Sequence, residues 1–178
     1  MHFRKSLLYC LGWLLASELL CLFLAFSFAI ISAPWARNVS LIFGPAAHIL
    51  LMGNAGKTAA DRSLIRLRRD GTGIFPGFAV LLGFCTALPL WGIYALLWLN
   101  ADSSAFLNIF LLLNAPFIQL HRLLIDGKEP FSAVATLCRL LMGLPPFITW
   151  GAVTAGFLLS WLPGRADHAV QTPEHNSR

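Results

Sequence analysis

Residues 7–31 read LLYCLGWLLASELLCLFLAFSFAII, an apolar run broken by one charged side chain, Glu18. At a rise of about 1.5 Å per residue such a run, if helical, exceeds the roughly 20 residues needed to cross about 30 Å of hydrocarbon. Two more stretches, 74–99 and 105–125, are comparable in length and polarity. Only 12% of the 178 residues are charged and 57% are hydrophobic, against about 25% charged in a typical soluble domain. The sequence therefore predicts an all-α polytopic membrane bundle. Residues 1–162 form its single domain and residues 163–178 a polar, disordered tail.

Basic residues exceed acidic ones, 13 to 8, for a net charge of +5. In so apolar a chain this excess points to membrane topology and not to nucleic acid. An N-terminal signal peptide is disfavoured because its apolar region would run to about 7–15 residues, shorter than the first run here. That run is read as a retained first helix. Nothing resembles an organelle-targeting segment, which points to a bacterial plasma membrane.

Five spans are expected: 7–31, 39–53, 74–99, 105–125 and 142–162. The second is the weakest, being short and containing Pro45; without it the count is four. Between spans one and two, Ala33, Pro34 and Trp35 mark an interfacial turn. After span two, residues 54–73 read as a loop with a short amphipathic cytoplasmic helix. There Arg62, Arg66 and Arg69 share one face and Ala60, Leu64 and Leu67 the other, as in a helix lying on anionic lipid headgroups. With the N-terminus inside, the inner side collects Arg4, Lys5, Lys57, Arg62, Arg66, Arg68, Arg69, Arg122, Lys128 and Arg139. The outer side keeps Arg37, Arg165 and Arg178, and the C-terminus lies outside. Trp35, Trp98 and Trp161 would then mark the outer boundary.

A charge at mid-membrane depth is costly, so Glu18 is a functional candidate by default. Counted along their spans, His48 and Asn114 reach a similar depth, and Thr86 and Thr154 could complete a polar midplane cluster. One reading makes Glu18 and His48 a proton or cation pair. The competing reading makes all five residues interhelical assembly contacts.

No catalytic residues are assigned, because no activated nucleophile or second deep carboxylate stands out. Neither a metal site nor a cofactor is expected, since no HExxH, CxxC or clustered ligand set occurs. The segment Gly53–Asn54–Ala55–Gly56–Lys57–Thr58 has the end of a phosphate loop, but Leu51 stands where its first glycine belongs and no strand precedes it. The polar loops are too short to hold a catalytic domain. The expectation is a non-enzymatic membrane subunit or scaffold of a larger transport or assembly complex, with a protein partner or further copies of itself. The alternative is a small secondary transporter or channel built around Glu18.

Overall fold

The structure, a computed structural model, describes residues 2–31, 34–71, 74–75, 77–127 and 130–171. The described residues are helical, without strands. In order they form α1 (His2–Ile30), α2 (Pro34–Asp70), α3 (Phe78–Leu99), α4 (Ser104–Leu112), α5 (Ile118–Ile125), α6 (Thr136–Leu141) and α7 (Leu144–Gln171). A 3-10 turn, Ala115–Phe117, joins α4 to α5, and another, Phe131–Ala133, precedes α6. Among the described residues four segments are long and apolar enough to cross a membrane, Phe3–Ile30, Asn38–Asp70, Phe78–Leu99 and Thr136–Arg165, and the bent pair Ser104–Leu112 with Ala115–Ile125 would make a fifth if it is one span.

The contacts fix their directions. Tyr9 lies under Arg62, with the guanidinium carbon 4.0 Å from the ring centre, and Ser17 meets His48, so α1 and α2 are antiparallel. Phe3 packs on Phe78 at 5.5 Å between centroids, which sets α3 parallel to α1. Phe78 in turn packs on Phe157 and Trp91 on Phe147, so α7 runs back against α3.

Segment four departs from the expectation. The chain bends by 99° between α4 and α5 and is back beside the end of α3 by Ser132, whose N–H donates to the Ala101 carbonyl at 2.9 Å. Trp98 and Phe131 pack there at 5.5 Å. Segment four therefore enters the bundle and returns, while segment two, the one doubted from sequence, runs its whole length. Four helices traverse the bundle, and α1 begins at the end where α7 finishes. The start of α1 and the end of α7 at Gln171 thus lie at the same end of the bundle, where the sequence reading set the two termini on opposite sides. Arg165 and Trp161 join Arg4, Lys5, Arg62, Arg66, Arg68 and Arg69 at that end, and Arg122 and Arg139 move to the other. The basic bias survives the change.

The separate amphipathic helix is also corrected, because α2 continues unbroken to Asp70. Its apolar face does not lie on lipid: Ala60 and Leu64 are buried and Leu67 packs beside them in the core. Arg69 pairs with Asp70, Nε to Oδ1 at 2.9 Å. Pro145 and Pro146 open the last long helix after a shorter one, where a missing N–H removes no hydrogen bond. That helix passes Pro163 and continues to Gln171. Ala33, Lys128 and the tail beyond Gln171 lie outside the described residues.

Two apolar clusters fill the bundle. One, at the N-terminal end, holds Cys10, Leu14, Met52, Ala55, Leu82, Val153 and Phe157. The other joins Ala25 and Leu97 to the inserted pair through Leu107, Phe110, Ile118 and Ile125. The outward faces are apolar too: Leu15 is 62% exposed, Phe23 68%, Leu50 73% and Leu159 78%. Small residues set the crossings. A Cβ on Gly156 would run into the Gly53 backbone, and one on Gly56 into that of Val153, so α2 and α7 touch nearly backbone to backbone.

Candidate functional site

Between the two apolar clusters lies a polar layer. At its centre is His48, fully buried on α2. Its Nδ1 is 2.9 Å from the Ser17 hydroxyl on α1, and its Nε2 is 2.9 Å from the Thr149 hydroxyl on α7. Thr149 donates its own proton to the Pro145 carbonyl at 3.0 Å, so its oxygen accepts from His48. The network thus assigns the proton of a neutral ring to Nε2 and leaves Nδ1 to accept from Ser17. One imidazole ties three helices together. Phe117 closes over it edge-on, with centroids 5.5 Å apart.

Glu18, next along α1, meets the inserted pair. Its Oε2 accepts the Ala115 N–H at 3.0 Å. Ala115 is the first residue of the turn leading into α5, a position whose amide has no partner within its own helix. The proline after it supplies no N–H, so Glu18 acts as an N-cap reaching across from another helix. Asn114 satisfies the opposite side of the break by donating its amide to the Phe110 carbonyl at 3.0 Å. Cys21 donates to the Gly44 carbonyl at 3.7 Å, and a Cβ on Gly44 would strike the Pro116 carbonyl. The break is thus held between α1 and α2, and Asn114, Ala115, Pro116 and Phe117 are all buried.

Of the five residues singled out by depth, Glu18, His48 and Asn114 share this layer. Glu18 and His48 do not bond to each other; both ring nitrogens of His48 are taken by hydroxyls. Thr86 donates to the Leu82 carbonyl in its own helix at 2.7 Å. Thr154 reaches the Ala79 carbonyl on α3 at 3.4 Å, one part of a separate α3–α7 seam to which Trp150 adds a bond to the Val80 carbonyl at 3.1 Å.

Sequence reasoning passed over Ser17, Thr149 and the buried His121, whose ring lies against Phe110 and Phe117. Thr149 was legible in principle. Depth counted from residue 142 selects Thr154, whereas the segment starts at Thr136 and ends at Arg165, which puts its middle next to Thr149. Of the basic residues proposed to touch lipid headgroups, Arg62 stacks on Tyr9 and Arg69 pairs with its neighbour Asp70. Arg66 is partly exposed on the same helix. Immediately before Arg62, Asp61 accepts the Ser160 hydroxyl of α7. Among the described residues no group of three or more His, Cys, Asp or Glu side chains is placed to hold a metal ion. Compared with known proteins, the chain matches no family model, no curated protein and no solved structure.

Proposed function

We propose that the chain is an integral membrane protein without enzymatic activity, a structural subunit or scaffold of a larger transport or assembly complex. Its surface supports the membrane setting, since leucine, isoleucine and phenylalanine line the outside while Ser17, His48, Asn114 and Thr149 are buried within. That inverts the usual soluble arrangement. The excess of Arg and Lys at the end shared by α1 and α7 favours placing that end in the cytoplasm.

The observation that carries the structural reading is the bonding of the polar layer. Both nitrogens of His48, the Asn114 amide and one Glu18 oxygen are engaged within the chain and join α1, α2, α7 and the inserted pair. Groups used this way assemble helices. Native mass spectrometry of the protein, extracted from its own membrane in mild detergent, tests the reading: a stoichiometric second polypeptide is expected, and a lone monomer or homo-oligomer would overturn it.

A secondary transporter is the second reading, and one observation favours it. A half-helix that begins inside a bundle is an arrangement transporters use to hold anionic substrate groups, and here the Glu18 carboxylate occupies the start of the turn into α5. Under that reading Glu18→Gln, reconstituted in vesicles, abolishes pH-dependent flux while the protein stays folded. Under the scaffold reading there is no such flux to lose.

A further inference from the structure

Beside the crossing of α2 and α7 runs a groove of about 500 Å³, within the range of small-molecule sites. Its walls are mostly apolar, formed by Ile49, Leu50, Ala152, Ala155 and Leu159, and its end toward the N-terminal face of the bundle carries Asn54 and Lys57. Gly53 and Gly156, which bring the two helices into backbone contact, contribute backbone but no side chain to its lining. From Asn38, where the apolar part of α2 begins, to Lys57 the rise is about 28 Å, close to the thickness of a hydrocarbon core. Lys57 thus stands at the depth of lipid headgroups, with the apolar length of the groove running inward from it.

The charge is available. Lys57 is exposed and makes no ion pair among the described residues, where the pair recorded is Arg69 with Asp70. The nearest carboxylate along the helix, Asp61, is held by the Ser160 hydroxyl of α7. The segment that imitates a phosphate loop therefore takes a different part: its backbone amides are spent inside α2, while Gly53 and Asn54 line the groove and its lysine stands at the rim. From this geometry we infer that the α2–α7 groove binds an anionic glycerophospholipid, one acyl chain lying along Leu50, Ala152, Ala155 and Leu159 and the phosphate resting on Lys57 and Asn54. The inference rests on the membrane setting proposed above.

The test uses the full chain, purified in mild detergent from carbonate-washed membranes and mixed with phosphatidylglycerol or phosphatidylcholine at equal concentration. Native mass spectrometry then reads the lipid retained. Phosphatidylglycerol is expected to be kept over phosphatidylcholine. Lys57→Gln lowers its retention roughly fivefold, Lys57→Arg preserves it, and Ala155→Phe, which fills the groove and leaves the charge, removes it. Arg68→Gln, an equal loss of charge away from the groove, leaves retention unchanged. Equal retention of the two lipids would overturn the site, as would an Arg68→Gln effect matching that of Lys57→Gln, or full retention by Ala155→Phe. A bound protein or second copy displaced by Ala155→Phe would assign the groove to that protein and overturn the lipid assignment. Release of the chain by the carbonate wash would instead overturn the membrane setting itself.

Discussion

Glu18 shows how much of a residue's role depends on what lies across from it. Its depth was readable by counting along an apolar run, but the group it meets was not, because that group is a backbone N–H. Ala115 carries no sequence mark of an amide in need of a partner; the mark is shared with Pro116 and becomes visible only once the helix is known to break there. Glu18→Ala leaves that amide buried without an acceptor and is expected to cost about 1–3 kcal/mol of stability, read as a lowered thermal midpoint in detergent. Glu18→Gln keeps a carbonyl oxygen at the same place and is expected to lose much less. Equal losses in the two variants would show that the capping bond contributes little. His48 illustrates the opposite case, in which both partners are ordinary hydroxyl residues lying 31 and 101 positions away. A histidine with both nitrogens bonded is a fixed joint between helices, and the pairing with Glu18 suggested by depth is absent.

At the scale of elements, two prolines, each inside an apolar segment expected to span, behave differently. Pro45 lies inside an unbroken α2, whereas Pro116 sits in the break between α4 and α5. The residue before each proline explains part of the contrast. Gly44 has no Cβ to clash with the proline ring, which relieves the usual bar to a helical conformation there. Before Pro116 stands Ala115, and before that Asn114, whose side chain competes for backbone partners and ends the helix. The lengths of α1 and α3 and the start of the last long helix, expected at 142 and found at Leu144, were legible from apolar runs. The continuation of α2 was obscured by its own polarity, because the basic face of residues 62–69 resembles a surface helix while its other face packs in the core. Gly156 tests the crossing that results. Gly156→Ala places a methyl group against the Gly53 backbone and is expected to destabilise the fold by about 1–3 kcal/mol. Gly151→Ala, where a Cβ meets open space, is expected to be neutral or slightly stabilising, and unfolding of the pair in the same detergent makes the comparison.

For the whole molecule, the count of crossings decides where the ends lie. Four traversing helices and one inserted pair bring residue 2 and residue 171 to the same end, so reporters fused to the two termini should be accessible from the same side of sealed vesicles. Opposite accessibility would restore five crossings. Charge alone could not distinguish the two arrangements, because most basic residues lie at the N-terminal end in both. What separates them is the fate of one segment, and that depends on tertiary contacts with Gly44, Glu18 and His48. The same dependence carries a consequence for biogenesis. A broken backbone cannot remain exposed to lipid, and this break is completed by α1 and α2, which leave the ribosome before α4 and α5 do. Synthesis from the N-terminus thus builds the receptacle ahead of the piece that enters it, and a permuted gene that delivered the inserted pair first would strand it at the translocon without a place to settle.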